Sequence, residues 1–134
     1  MTYVSWYGAT AFCNYYGYRL PTEWEWQAVA DYDGSYTHGC GTSIRNGTDY
    51  YAYANYYRSI FPYGTTVVGH FGVDGYGYGM CDMAGNVFEW TSTLYDPAYI
   101  YRIIRGGGWF HSDSGCTVSI RGINSDLISA TING

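Results

Sequence analysis

The feature that most constrains the fold is a long central stretch without hydrophobic periodicity, from Asp31 to about Gly79. Gly, Tyr, Asn, Thr and Ser fill it, and these residues favour turns and short extended pieces over helices. Long irregular stretches in a compact domain are functional or are packed by their own side chains. We expect tyrosines to supply that packing, because each offers a ring to bury and a hydroxyl for backbone groups. They are Tyr50, Tyr51, Tyr53, Tyr56, Tyr57, Tyr63, Tyr76 and Tyr78.

The composition bounds the class of protein. A chain of 134 residues is long enough for one domain, and its 47% hydrophobic content with 18 Tyr predicts a globular rather than a disordered chain. The net charge is −5, lysine is absent and the six arginines are scattered singly, so nucleic acid is an unlikely partner. No apolar run approaches the roughly 20 residues that span a bilayer, which argues against membrane insertion.

Two short helices are predicted near the N-terminus. Ser5 has the type and position of an N-cap, and Gly17 supplies a left-handed stop. Thr22 and Glu25 form the pattern of a capping box, which predicts a second helix from this point. The residues of this helix expected to face inward are Trp24, Ala28 and Gln27.

Three later segments have the alternation of short strands. They cover residues 87–91, 101–105 and 116–121. The four cysteines, Cys13, Cys40, Cys81 and Cys116, are widely spaced and contain no C-x-x-C pair, which argues against a structural zinc site. Their disulfide state stays open, and with it the cellular compartment.

Four blocks taken together resemble the formylglycine-generating enzyme family, also called the sulfatase-modifying-factor domain. They are Val4-Ser5-Trp6-Tyr7 with Ala9 to Cys13, Tyr18 to Trp26, Asp82 to Ser92, and Arg105-Gly106-Gly107-Gly108-Trp109. The resemblance implies an α+β, C-type-lectin-like fold with two short N-terminal helices, a small antiparallel sheet and much irregular loop. It also implies a single domain over residues 1–134 that lacks the family's N-terminal part and its closing C-terminal strand.

The resemblance brings an enzymatic hypothesis, in which two cysteines hold copper and oxidise a substrate cysteine to formylglycine with molecular oxygen. Such a site needs two soft thiolates close together. Cys116 aligns with the second thiolate, but His111 stands at the position of the first. The alternative reading of Cys116 is a small buried hydrophobic residue. Enzyme activity therefore stays uncertain, and a non-catalytic domain is favoured.

The spacing from Cys116 to Arg121 instead resembles the family's non-catalytic branch, which includes the variable proteins of diversity-generating retroelements. Those elements randomise adenines and cannot produce Lys, Glu, Gln, Met or Trp, and residues 110–134 contain none of the five. On this reading Trp109, Cys116 and Arg121 are scaffold, and ligand contact comes from residues 110–115 and 122–128. The displayed positions are Phe110, His111, Ser112, Asp113, Ser114, Ile123, Asn124, Ser125, Asp126 and Leu127.

The resemblance also implies a calcium site in the turn after Cys81. Asp82 and Glu89 would supply carboxylates, and Gly85 and Val87 would supply backbone carbonyls. Hard oxygen ligands of this kind suit Ca²⁺. The alternative is that Asp82 caps a turn and Glu89 pairs with an arginine inside the fold.

The sequence therefore predicts a non-catalytic domain that binds a protein or glycan ligand on a variable surface, at the cell or phage surface or otherwise outside the cell. Two alternatives stay open: a copper-dependent oxidase that uses Cys116, and a structural protein whose tyrosine-rich surface self-associates. Exposed tyrosine gives a large contact area for little lost side-chain entropy. We expect most tyrosines to be structural and a minority to be accessible, namely Tyr15, Tyr16, Tyr95, Tyr99 and Tyr101.

Overall fold

Two helices and a small antiparallel sheet organise the part of the chain that the computed structural model describes, residues 2–41, 43–44, 53–57, 63–72, 78–98 and 100–125. Helix α1 spans Trp6–Tyr15 and α2 spans Glu23–Ala30. Strands β1 (Glu89–Leu94), β2 (Tyr101–Arg105) and β3 (Gly122–Ser125) form a sheet in that order, and a 3-10 helix covers Asp113–Cys116. The predicted α+β architecture is confirmed. Within these residues no helix is long and apolar enough to cross a membrane.

Both helices begin where the sequence predicted. The Ser5 hydroxyl accepts a hydrogen bond from the backbone N–H of Gly8 at 3.1 Å, and Gly17 has φ +75° after the end of α1. The Thr22 hydroxyl accepts from the Glu25 N–H at 3.2 Å, while the Glu25 carboxylate accepts from the Thr22 N–H at 2.8 Å. This reciprocal pair satisfies two donors that the helix itself cannot use.

The predicted inward face of α2 is wrong for Trp24 and Ala28, whereas the half-buried Gln27 contacts the buried Arg105 guanidinium, as predicted for an inward position. Trp24 is 69% exposed and Ala28 is exposed, whereas Trp26 and Glu23 are buried. The cause is an ion pair: the buried Glu23 carboxylate accepts two hydrogen bonds from Arg121, each 2.8 Å long. This contact fixes the rotation of α2, so that Trp26 rather than Trp24 points into the core. In a helix of eight residues, the spacing of the apolar positions does not by itself specify which side faces the core.

The strands agree with the predictions in two cases of three. Strand β2 has the predicted bounds, and β1 begins at Glu89 rather than Val87 because Asn86 adopts a turn conformation with φ +60°. Residues Glu89 and Trp90 pair with Arg105 and Ile104 of β2. The register between β1 and β2 then shifts before Leu94 pairs with Arg102.

The predicted strand over residues 116–121 is wrong. Cys116 ends the 3-10 helix, and the chain runs irregularly until β3 begins at Gly122. This irregular backbone supplies carbonyl groups to a buried cation: Arg105 donates to the Val118 oxygen at 2.7 Å and to the Ile120 oxygen at 2.9 Å. A strand here would direct these carbonyls to a neighbouring strand instead.

Among the described residues, the buried hydrophobic side chains form three small clusters. They centre on Ile44 with Cys116, on Trp26 with Met83, and on Trp90 with Ile104. The expectation that tyrosines pack the irregular middle is not met by the described residues, among which Tyr56 is the one buried tyrosine. Tyr50, Tyr51, Tyr76 and Tyr99 lie outside the described residues. Tyr15, Tyr16, Tyr95 and Tyr101 are exposed, as predicted.

Candidate ligand-binding site

The Gly106-Gly107-Gly108-Trp109 turn is the base of the candidate site. Gly106 and Gly107 have φ values of +88° and +78°, which residues other than glycine rarely adopt. A Cβ at Gly107 would lie 2.6 Å from the Cys116 sulfur, so the turn is pressed against the segment that follows it. The Trp109 N–H donates to the Asn86 carbonyl at 2.9 Å. Glycine is therefore required here both by conformation and by space.

The segment after this turn, residues 110–116, is called the display loop below, and backbone contacts hold it from beneath. The Tyr57 N–H donates to the His111 carbonyl at 2.8 Å. The buried His38 ring contacts the Asp113 carbonyl through Nε2 at 3.1 Å, and the His38 backbone forms a bridge with Thr117. The loop is thus fixed by two other parts of the chain.

The tip of the display loop carries short polar side chains. Ser112 and Ser114 are exposed, and their hydroxyl oxygens lie 3.0 Å apart. Asp113 is half-buried, and its carboxylate accepts from the Ser114 N–H at 2.6 Å. Phe110 is also half-buried. The predicted positions in this first segment therefore divide into exposed serines and partly buried neighbours.

Within the display loop, His111 acts mainly as a packing residue. Its ring centroid lies 4.8 Å from that of Phe88 and 4.2 Å from that of Phe110, and the residue is half-buried. Burial lowers the pKa of His111 below its usual value, which favours the neutral ring. The sequence identified His111 as displayed, but much of its ring is occupied by these two contacts.

The second predicted segment is only partly displayed. Ile123 is 47% exposed, but Asn124 and Ser125 are each 8% exposed, which corrects the expectation that they are displayed. Both residues pair with β2, through Arg102 and Tyr101, but Ile123 pairs with Ile103 in the same ladder and stays exposed. Asp126 and Leu127 lie outside the described residues.

Phe88 lies between the two segments predicted to contact a ligand, and the sequence did not mark it as a residue of the site. A Cβ at Gly122 would lie 3.3 Å from Phe88 Cε1, and the same ring packs edge-on against His111. Tyr57, which is 65% exposed and donates to the loop backbone, was also missed. The position of Phe88 within the predicted strand 87–91 offered a weak signal, whereas the position of Tyr57 in the irregular middle offered none.

Cys116 is placed as a structural residue. It is 1% exposed and lies 3.9 Å from the Gly108 carbonyl, to which its thiol donates a weak hydrogen bond. Burial raises the pKa of this thiol to about 12. Because the thiolate is the form that attacks substrates and binds soft metals, this environment disfavours both roles. Both side chains lie against Gly108, because the Gly108 backbone is also a hydrogen-bond partner of the His111 ring.

We expect the Cys116 thiol to resist alkylation in the folded protein. Raising its pKa from 9.0 to about 12 lowers the thiolate fraction at pH 8 on the order of a thousandfold. Mass spectrometry after iodoacetamide treatment should show Cys116 modified at least about 100-fold more slowly in buffer than in urea. Half-buried Cys13 is the internal control. Equal rates in buffer and urea would contradict the burial.

The raised pKa of the Cys116 thiol also makes the stability of the fold depend on pH. Its contribution to the free energy of unfolding is fully present below pH 9 and is lost as the pH rises toward 12.

The two carboxylates that the sequence predicts as calcium ligands each accept a hydrogen bond within the fold. The Asp82 carboxylate accepts from the Gly69 N–H at 3.2 Å, whereas the Glu89 carboxylate accepts from the Trp26 indole. Gly85 donates its N–H to the Gly106 carbonyl at 2.7 Å, and Val87 lies just before β1. The residues described contain no group of three or more His, Cys, Asp or Glu side chains arranged to hold a metal ion. The two carboxylates are therefore used inside the fold, and calcium binding stays a prediction.

Comparison with known sequences identifies related proteins. The chain is 36% identical over 103 residues to the formylglycine-generating enzyme of Mycobacterium tuberculosis, covering 70% of this chain and 33% of that protein. It is 31% identical over 135 residues to the inactive C-alpha-formylglycine-generating enzyme 2 of Mus musculus, covering 86% of this chain and 39% of that protein. The chain thus spans less than half the length of these curated relatives.

A solved structure supports the fold. "Treponema denticola variable protein 1" superposes with a TM-score of 0.74 at 24% sequence identity, covering 96% of this chain and 66% of that one. This likeness confirms the predicted fold of the formylglycine-generating-enzyme type. The sequence also matches the family described as "Sulfatase-modifying factor enzyme 1-like domain" over residues 1–132. The chain belongs to this sulfatase-modifying-factor family.

Proposed function

We propose that the chain is a non-catalytic ligand-binding domain that uses the display loop and the exposed side of β3 to contact a protein or a glycan. The proposal rests on the contrast between the backbone of the display loop, which is held in place, and its serine side chains, which are exposed. Its backbone is fixed by Tyr57, His38 and the glycine turn, while the side chains of Ser112 and Ser114 face solvent. A fixed backbone with exposed, structurally unconstrained side chains allows the sequence of the surface to change without loss of the fold.

The buried thiol disfavours the oxidase alternative. The curated relatives include one named as a formylglycine-generating enzyme and one named as inactive, so family membership does not decide between them. The site of this chain favours the inactive class: Cys116 is buried with a raised pKa, and His111 packs between two aromatic rings. Copper ligation through Cys116 would require this buried thiol to lose its proton.

The chemistry of the surface favours a neutral ligand with mixed polar and apolar contacts. Ser112 and Ser114 offer adaptable hydrogen bonds, and Tyr57 and Phe110 flank them with aromatic surface. Serine and tyrosine are the residues that antibody paratopes use for the same purpose. We further propose that this is a variable surface of the kind found in retroelement-diversified proteins. The absence of Lys, Glu, Gln, Met and Trp from residues 110–134 supports that origin.

Two matched libraries test the proposal. The first randomises Ser112, Ser114 and Ile123; the second randomises Gly107, Thr91 and Cys116, which are buried. Both are displayed on yeast, and folded clones are counted by resistance to protease. We expect most clones of the first library to fold and most clones of the second to fail. Selecting the first library against lysozyme and against a neutral glycan should then yield binders with a Kd of about 1 μM or better, roughly −8 kcal/mol.

Two results would overturn the proposal. If both libraries lose protease resistance to the same extent, the loop is part of the scaffold rather than a displayed surface. If the first library folds but yields no binder to either target, the loop tolerates substitution without being a binding surface.

A further inference from the structure

His38 is a buried histidine in contact with the display loop. The residue is 7% exposed. Backbone contacts fix its position, since the His38 N–H donates to the Gly41 carbonyl at 2.9 Å and His38 forms a bridge with Thr117. The residue before it is also held, because the Thr37 carbonyl accepts from the Val118 N–H at 2.9 Å. The His38 ring therefore occupies a defined place beside the loop.

The hydrogen bond of the ring determines where its proton lies. Nε2 of His38 is 3.1 Å from the backbone carbonyl oxygen of Asp113. A carbonyl oxygen can only accept, so Nε2 carries the hydrogen and donates it. In the neutral ring, Nδ1 is then the nitrogen with the free lone pair. This Nδ1 is buried and has no hydrogen-bond partner among the described residues.

This environment accepts the neutral ring and opposes the charged one. Protonation adds a second N–H at Nδ1, where no acceptor of the described residues lies within hydrogen-bond distance. A buried donor without an acceptor and a charge removed from water are both unfavourable. Burial accordingly lowers the pKa of His38 below its usual value.

On the side of the display loop, the charged group that faces His38 is Asp113. Its carbonyl, through the hydrogen bond to the ring, and its carboxylate both raise the pKa of His38, but burial has the larger effect. The other titratable groups of the loop are His111, whose pKa is lowered by burial, and Cys116, whose pKa of about 12 keeps the thiol neutral. The loop thus attracts a charged ring through one carboxylate without offsetting the cost of its burial.

On the other side, the turn that follows His38 adds no charge. Residues 39–41 contain no Asp, Glu, Lys or Arg, and their titratable group is the thiol of half-buried Cys40. A Cβ at Gly39 would lie 2.5 Å from the Met83 Cβ, so this turn packs against an apolar residue. Among the described residues, Asp113 is the charged group that affects the pKa of His38.

We propose that His38 is a pH-sensitive contact of the display loop: the neutral ring holds the loop through the Asp113 carbonyl, and the protonated ring releases it. The charged ring reaches water only when it leaves this buried place, and leaving breaks its hydrogen bond to the loop. The inference rests on the proposed function, in which the display loop is the ligand-binding surface. The domain would then hold its ligand at neutral pH and release it in acid.

The sign of the effect follows from the direction of the pKa shift. The pKa of His38 is lowered while the loop is held, and it returns toward about 6.5 when the ring is exposed. The held loop is therefore fully stabilised above the pKa of the exposed ring, and this stabilisation is lost as the pH falls through the lowered value. Between these two values, the opening constant rises up to about tenfold per pH unit.

Amide hydrogen exchange of the unliganded chain, followed by NMR at pH 7 and pH 5, tests this contact. The Tyr57 N–H, which donates to the His111 carbonyl, reports on the loop, and the Asp31 N–H, which donates to the Gln27 carbonyl, reports on α2. We expect the protection factor of the Tyr57 amide to fall roughly tenfold from pH 7 to pH 5, while that of the Asp31 amide stays unchanged.

Two matched substitutions assign the effect to one histidine. His38→Gln keeps an N–H donor close to the position of Nε2 but cannot be protonated in this range, so the Tyr57 protection factor should become independent of pH. His70→Gln removes an exposed histidine and should keep the tenfold change. Titration of the ring resonances in the parent chain is independent of how the variants fold. It should show that His38 is protonated at a lower pH than the histidines of the urea-denatured chain.

Three results would overturn the proposal. Equal protection of the Tyr57 amide at pH 7 and pH 5 would show that acid does not release the loop. A parallel fall at Asp31 would indicate acid unfolding of the whole domain. A change that persists in His38→Gln would assign the titration to another group, such as His111. Because no ligand is present, a failure here is distinct from a failure of the libraries to yield binders.

Discussion

Replacing Gly107 with alanine is expected to lower the free energy of unfolding by roughly 2–5 kcal/mol, a large share of the total stability of a small domain. Two costs combine. The left-handed conformation at φ +78° costs a residue with a Cβ about 1–2 kcal/mol. The added Cβ would also lie 2.6 Å from the Cys116 sulfur and 2.8 Å from the Gly115 carbonyl oxygen, and overpacking of this kind costs about 1–3 kcal/mol.

Gly17→Ala separates the two costs. Gly17 has nearly the same conformation, φ +75°, but no heavy atom of the described residues comes within 4 Å of the position of its Cβ. We therefore expect only the conformational cost of about 1–2 kcal/mol. Urea denaturation of both variants and the parent chain measures the difference. Equal losses in the two variants would show that the close approach of the turn to Cys116 contributes nothing to stability.

The sequence predicted local structure well, because the signals for it are local. The N-cap at Ser5 and the capping box of Thr22 and Glu25 use atoms within three residues of each other, and both occur as predicted. The alternation of residues 101–105 likewise predicted β2. Family resemblance supplied the rest of the architecture, and the comparisons confirm it.

The errors have a different origin, since each depends on a contact between distant parts of the chain. The inward face of α2 is set by the ion pair of Glu23 with Arg121, which are 98 positions apart. The irregular path of residues 116–121 is set by the need of Arg105 for carbonyl partners. Neither contact leaves a periodic signal in the sequence.

The candidate site was also predicted only as far as local signals reach. The sequence located the display loop through its position after the glycine-rich block, but it did not distinguish displayed side chains from buried ones. Asn124 and Ser125 are short and polar, as displayed residues are, yet both are buried, whereas the apolar Ile123 beside them is exposed. The role of Phe88 follows only from its simultaneous contact with His111 and its approach to Gly122.

Arg105→Met is the second substitution with a large expected effect, about 3–4 kcal/mol of lost stability. Arg105 is 3% exposed and donates to the carbonyls of Val118 and Ile120 and to the Gln27 side chain. Its guanidinium also lies 4.9 Å from the Trp26 ring centroid. Methionine fills the space of the stem but leaves the buried Val118 carbonyl unpaired and removes the donor to the partly buried acceptors of Ile120 and Gln27. An unpaired buried acceptor costs about 1–3 kcal/mol, and the partly buried ones cost less.

The exposed Arg19 provides the matched control for Arg105. Its pair with Glu25 lies at the surface, where water replaces a lost hydrogen bond, so Arg19→Met should leave the urea midpoint nearly unchanged. Arg105→Lys should fall between the two, because one ammonium keeps the charge but cannot reach all three acceptors in a guanidinium's geometry. Burial lowers the pKa of Arg105, and the nearby Glu23 carboxylate opposes that shift. A similar small loss for Arg105→Met and Arg19→Met would mean that the segment from Cys116 to Arg121 holds its irregular path without this cation.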